Sequence, residues 1–180
     1  MKKVLALFGA AVAVVVVVLL VVIQSRPDDF RVSRSAVIPA PPPAVFAHVN
    51  DLQKWESWSP WAKRDPNSRV SFSGPPEGKG SAMAWVGNEQ VGEGKMTITE
   101  SVPGERIVLQ LEFVKPFEGS STTEFTFRPE DGGTHVTWTM SGTNNFVSKA
   151  VSLFMDCDKI VGAQFEQGLD NIKKAVAAQP

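Results

Sequence analysis

The chain closes on "NNFVSKAVSLFMDCDKIVGAQFEQGLDNIKKAVAAQ", residues 144–179, and the fold turns on how this stretch is read. Phe146, Val147, Ala150, Val151, Phe154, Cys157, Val161, Phe165, Leu169, Ile172 and Val176 recur every three or four positions. At 3.6 residues per turn, that spacing lines up one apolar stripe along a helix. The pattern predicts a single helix of about 32 residues, about 48 Å long at 1.5 Å per residue, with Asn144 or Asn145 as its N-cap. A helix of that length with one oily side needs an equally long oily surface to lie on.

The residues before it supply that surface. From Arg69 to Thr143 the periodicity is alternation, broken by turn signals at "GPPEGKG", "GNEQVGEG", "VPGER", "KPFEGS" and "PEDGG". Six strands are predicted near 69–74, 80–87, 92–102, 105–114, 119–128 and 133–142. Turns this short make neighbouring strands antiparallel, so the six form one meander. Ile107, Leu109, Leu111 and Phe113 fall on the inner side, with Thr123, Phe125, Phe127, Val136, Trp138 and Met140; Gln110, Glu112, Glu124 and Arg128 stay wet. Ahead of them, "FRVSRSAVI" at 30–38 reads as a further strand, "PAPPP" stops it, and Val45, Phe46, Val49 and Leu52 take helical spacing. A second short helix around "LQKWESW" ends at Pro60. The order is strand, two short helices, six strands, long helix, an α+β arrangement.

The amino terminus belongs to a different solvent. Val4 to Ile23 runs without a charge after Met1, Lys2 and Lys3, and no small-residue cleavage site follows it. A helix of about 20 apolar residues crosses a hydrocarbon core of about 30 Å. Residues 1–24 are therefore expected to be an uncleaved transmembrane anchor, 25–29 a short linker and 30–180 one domain. The basic start argues for an inside amino terminus, and hence a single-pass protein of the bacterial inner membrane with its domain exported. Without Lys2 and Lys3, 16 of the 18 basic residues remain against 19 acidic ones. No basic cluster is available for phosphates, which excludes nucleic acid as a natural partner. Cys157 is the only cysteine, so no disulfide or thiolate cluster forms within the chain.

The element order and two stretches of sequence resemble the helix-grip superfamily, also called START-like, SRPBCC or polyketide cyclase/dehydrase-like domains. One stretch is the first strand leading into "PAPPPAVFAHVNDLQKWESWSPW", with its prolines, helix, aspartate and tryptophans; the other is the closing "FEQGLDNIKKAV". The resemblance spans roughly residues 30–177. It implies a seven-stranded antiparallel sheet wrapped around the long C-terminal helix, with two short helices after the first strand and an elongated cavity between sheet and helix. A strongly twisted sheet crossed by one rod leaves a gap unless large side chains fill it. Residues expected to line such a cavity are Trp58, Trp61, Met83, Trp85, Met96, Ile98, Phe113, Phe125, Trp138, Met140 and Phe154. Trp55, Trp58 and Trp61 are read either as a lid over it or as packing at the short-helix corner.

Catalytic signals are sparse. His48 and His135 lack a partner at a diagnostic spacing, and neither G-x-S-x-G nor H-E-x-x-H is present. "GPPEGKG" is one residue too short between its glycines for a phosphate loop, and Gly80 stands where a serine or threonine would reach magnesium. Asp156 and Asp158 point about 200° apart on a helix and cannot chelate one ion together. No metal set or cofactor motif stands out. Continuing the alternation of Met96 and Ile98 points the Glu100 carboxylate inward, the one candidate acid or base. The leading expectation is a membrane-anchored, non-catalytic module for a lipid or other hydrophobic small molecule. The alternatives are a cyclase/dehydrase-type enzyme in which Glu100 or a bound water moves protons, or a module that docks another protein of the cell envelope.

Overall fold

The computed structural model describes residues 2–178; Met1, Gln179 and Pro180, the extremities of the expected anchor and domain, lie outside them. The elements in order are α1 (Lys2–Gln24), β1 (Asp29–Ile38), α2 (Pro42–Asn50), a 3₁₀ turn (Leu52–Lys54), α3 (Trp55–Trp58), β2 (Arg69–Ser73), β3 (Ala82–Val86), β4 (Glu93–Val102), β5 (Arg106–Lys115), β6 (Gly119–Glu130), β7 (Gly133–Thr143), α4 (Phe146–Val151) and α5 (Cys157–Ala177). By compactness the chain divides into two units, Met1–Phe30 with Thr143–Cys157, and Arg31–Gly142 with Asp158–Pro180.

The larger unit is built on one antiparallel sheet of seven strands in the order β1-β7-β6-β5-β4-β3-β2. The six expected strands lie within a few residues of their predicted limits and pair in sequence, as short turns require. β1 joins the far edge beside β7, so the short-helix corner carries the chain from one edge to the other. The inner face is read directly from the pairing: Ile107 opposite Phe125, which is opposite Trp138, and Leu109 opposite Thr123, which is opposite Met140. Ile98, Ile107, Leu109, Phe125 and Val136 are fully buried, so the predicted alternation is the one adopted. This is the helix-grip architecture.

α5 lays Gly162, Phe165, Gly168, Leu169 and Ile172 onto that face. Phe165 stacks on Trp138 with centroids 4.1 Å apart and 9° between planes. Gly168 makes the approach possible: a Cβ there would sit 2.6 Å from Trp138 Cζ3. Farther up the helix, Gly162 leaves room for the Arg34 side chain of β1, which donates from Nε to Glu166 at 2.9 Å and from Nη2 to Asp158 at 3.0 Å. Asp158, Gly162 and Glu166 are four residues apart in turn, so one helical face offers two carboxylates and a notch between them.

The predicted single terminal helix is corrected. Residues 152–156 interrupt it, leaving α4 with six residues and α5 with 21, or about 32 Å. Asn145 caps α4, accepting from Ser148 N at 2.8 Å. The break carries its own signal in "MDCD": Asp156 stands just before Cys157, and Asp158 lies in the first turn of α5, where acidic residues favour a helix start. An unbroken apolar stripe hid that start.

In the smaller unit, α1 is 23 residues long, and its Leu7–Gln24 window is long and apolar enough to cross a membrane. α4 lies against it.

Candidate functional site

The inner face of the sheet has a closed half and an open half. The closed half is an aromatic cluster. Trp55 and Trp58 lie 4.5 Å apart, and Trp58 meets Trp138 edge-on at 5.7 Å and Phe125 at 6.2 Å. Their indole nitrogens are tied down at the corner, Trp55 Nε1 donating to the Val49 carbonyl and Trp58 Nε1 to that of His48, both at 2.9 Å. Asn171 of α5 donates to the Trp58 carbonyl at 3.0 Å. Trp55 and Trp58 thus take the packing role weighed for them. The structure brings Trp58, Met96, Ile98, Phe125 and Trp138 together in this buried interior. Trp61, after Pro60, is half-buried and edge-on to Trp138 at 6.0 Å.

The open half lies toward β2. Val70 pairs with Trp85, Trp85 with Gly94 and Gly94 with Phe113; in the next row Phe72 pairs with Met83, Met83 with Met96 and Met96 with Leu111. Val70 and Phe72 are 47% and 49% exposed, an unusual state for inward-facing side chains of a sheet. Met83, Trp85, Leu111, Phe113 and Met140 are half-buried. Gly94 lets Trp85 lie flat across β4, since a Cβ there would come within 2.6 Å of Trp85 Cζ2. The ring is then held by Nε1 donating to the Val91 carbonyl at 3.2 Å and by an edge contact with Phe113 at 6.0 Å. Val70, Phe72 and Leu111 belong to this surface and were not among the expected residues. For Val70 and Phe72 the signal was period-two alignment with Trp85 and Met83 across the β2–β3 hairpin, and for Leu111 the alternation of its own strand.

Two polar atoms on the inner face stand out. Ser121 Oγ and Trp138 Nε1 are buried and make no hydrogen bond among the described residues. Ser121 faces Leu111 on one side and Gly142 on the other, so it continues the row of Phe72, Met83 and Met96. Orphaned buried polar groups cost about 1–3 kcal/mol each and ask for a reason.

Two expected positions are corrected. Glu100 does not point inward: the pairing slips between Ile98, opposite Leu109, and Glu100, opposite Val108, so Thr99 is an extra residue. A bulge of this kind reverses the alternation. Glu100 therefore pairs with Arg106 at the surface, and Ser101 takes the inward place, donating to Asn50 Oδ1 at 2.7 Å. The Glu100 carboxylate raises the Arg106 guanidinium above its ordinary value, chiefly through their hydrogen bond. Phe154 is 85% exposed in the break between α4 and α5, within the smaller unit. The aromatic cluster of Trp58, Phe125, Trp138 and Phe165 occupies part of the space between sheet and α5 where the elongated cavity is expected.

Two surface depressions accompany the larger unit. One, of about 640 Å³, is bordered by His48, Lys54, Ser57, Lys63, Asn171 and Lys174; the other, of about 400 Å³, by the Pro39–Pro42 stretch with Gly132 and Gly133. Neither is lined by the expected ligand residues. Among the described residues no cluster of three or more His, Cys, Asp or Glu is arranged to hold a metal.

An antiparallel sheet gripping a C-terminal helix, with apolar side chains left open on its inner face, defines a helix-grip module. The chain belongs to the polyketide cyclase / dehydrase and lipid transport family, whose model matches residues 29–177. No curated protein matches it in sequence. Among solved structures, a protein from Chromobacterium violaceum superposes with a TM-score of 0.59 at 19% identity, over 86% of this chain and 100% of that one. The Aha1 dimer from Colwellia psychrerythraea gives 0.59 at 16% identity, over 83% and 97%. DynU16, from the dynemicin biosynthetic locus, gives 0.56 at 16% identity, over 84% of this chain and 48% of that one. At these identities the likeness is one of fold.

Proposed function

We propose that this chain is a membrane-anchored, non-catalytic module that holds a lipid or another hydrophobic small molecule against the inner face of its sheet. The observation that carries the reading is the uncovered apolar half: Val70, Phe72, Met83, Trp85, Leu111 and Phe113 line up across four strands and remain accessible. Acyl chain or ring surface laid on them leaves water without any polar group being stranded. Burying about 300 Å² of apolar ligand surface contributes about 7 kcal/mol at about 25 cal/mol per Å². The cost of association then brings this down toward a weak, exchangeable complex. Ser121 Oγ, at the inner end of the same row, is a hydrogen-bond partner for a polar group on the ligand. Met83 and Met96 side by side suit a site that accepts more than one shape.

In this reading α1 is the anchor, inserted with its amino terminus inside and the helix-grip module exported, and the expected limits 1–24, 25–29 and 30–180 are its divisions. Glu100, the carboxylate named for the enzymatic alternative, pairs with Arg106 at the surface, which leaves that alternative to a bound water. The test is native mass spectrometry of the full chain after gentle extraction, with uptake of a fluorescent fatty acid measured alongside. A co-purifying apolar molecule, and uptake abolished in Met83→Asp, support the reading. A protein that carries nothing and takes up nothing refutes it.

A further inference from the structure

The smaller unit holds an apolar surface that ligand binding does not use. In the segment from Thr143 to Met155 the only charged side chain is Lys149. It is 5% exposed and paired with Asp28, four residues beyond the end of α1. The rest of the segment turns oily side chains outward: Phe146 is 51% exposed, Val147 43%, Phe154 85% and Met155 49%.

This segment is strapped to the exit of the apolar helix. Asn144 N donates to the Asp28 carbonyl at 2.6 Å, Asn144 Nδ2 to the Pro27 carbonyl at 3.1 Å, and Arg26 Nη2 to the Ser152 carbonyl at 3.2 Å. α4 packs on α1, whose own side chains are exposed along the Leu7–Gln24 window. The Phe and Met side chains therefore sit where a helix crossing a bilayer emerges from it, and no unpaired charge has to be dragged along.

We propose that residues 146–155 form an interfacial foot, which lies in the bilayer surface beside the transmembrane helix and immerses Phe146, Val147, Phe154 and Met155 among the upper acyl chains. The occupant of this patch is lipid rather than protein because the patch is continuous with the lipid-facing surface of α1 and its one cation is neutralised within the unit. Amphipathic segments of this kind sink about 5–10 Å into the boundary between headgroups and chains. Arg26, at the helix exit, is the long basic side chain that reaches headgroups from such a depth. The inference rests on α1 spanning the membrane.

The test uses the full chain in phosphatidylcholine vesicles, with Cys157→Ser as background and single cysteines at Val147, Phe154 or Val16 carrying a bimane label. Quenching by lipids brominated at graded depths is compared with quenching by aqueous iodide. The foot predicts that labels at 147 and 154 are quenched most by lipids brominated near the top of the chain, and that 16 is quenched most by deeper bromines. If 16 responds to lipid while 147 and 154 respond only to iodide, the foot is refuted and the anchor stands. If 147 and 154 respond to neither, a protein surface covers them and the foot is refuted. If 16 also ignores lipid, the anchor itself fails and takes the foot with it.

Discussion

Replacing Gly168 by alanine sets two effects of opposite sign against each other, and the structure decides between them. In the middle of a helix, alanine is better than glycine by about 1 kcal/mol. The new methyl, however, would stand 2.6 Å from Trp138 Cζ3 and 3.4 Å from both Trp138 Cη2 and Pro60 Cδ. Carbon atoms rest about 3.5–4.0 Å apart, so the indole must retreat by about 1 Å. It has nowhere to go: Phe165 stacks on it at 4.1 Å, Phe125 lies 4.7 Å away and Trp58 5.7 Å away. Overpacking of this kind costs about 1–3 kcal/mol. At 2.6 Å with no room to retreat the cost falls in the upper half of that range, about 2–3 kcal/mol, so Gly168→Ala is expected to lose about 1–2 kcal/mol net. For a chain of this length that is a fall in melting temperature of about 2–8 °C. The sign reverses when the obstructing ring is shortened. In a Trp138→Phe background, the same substitution should raise the melting temperature relative to Trp138→Phe alone, because only the helix preference remains. Thermal unfolding of the four full-length proteins in detergent, followed by tryptophan fluorescence and circular dichroism, measures the cycle. A Gly168→Ala protein as stable as the parent with Trp138 in place, or an unchanged penalty without it, refutes the close approach of α5.

Further outcomes follow from the same geometry. The Arg34 guanidinium beside Asp158 holds that carboxylate below its ordinary range, chiefly by hydrogen bonding. The clamp's contribution is therefore complete above the ordinary carboxylate value and disappears as pH falls through the lowered one. Acid titration of folding should show a shallower slope below about pH 4 in Asp158→Asn. Ser121→Ala removes a buried hydroxyl that has no hydrogen-bond partner among the described residues, so the empty protein should be unchanged or up to about 1 kcal/mol more stable. The same change should weaken retention of a fatty acid over its methyl ester analogue in a competition assay; unaltered selectivity would remove Ser121 from the site. Glu100→Gln is expected to leave fatty-acid uptake and fold intact, since its carboxylate pairs with Arg106 at the surface. Loss of uptake with the circular dichroism unchanged would restore the carboxylate to the site.

The architecture was legible wherever a pattern repeats with the period of its own backbone. Strands β5 to β7 alternate between wet and apolar positions because each has one face on the core, and Ile107, Leu109, Phe125, Phe127, Val136 and Trp138 are buried as the alternation requires. Periodicity failed at single insertions. Thr99 adds one residue to β4 and turns Glu100 outward, and nothing in "KMTITESV" marks a bulge, because a bulge is defined by the register of two strands rather than by the composition of one. The break at residues 152–156 was likewise concealed, because apolar residues that face another surroundings continue the same three-four spacing.

The amino-acid order alone determined the strands, the short helices, the sense of the inner face and the apolar helix at the start, since each depends on neighbours within a few positions along the chain. Which inward residues are packed and which stay open was decided only in three dimensions. Trp138 and Trp85 look alike in sequence, each an aromatic ring in the inward phase of its strand. One is sealed beneath Phe165 because Gly168 brings α5 down onto it; the other lies on Gly94, with no ring stacked over it among the described residues, and remains half-buried. Burial depends on how far a helix reaches across a sheet, and that reach depends on all the contacts along α5 at once, which no local pattern encodes.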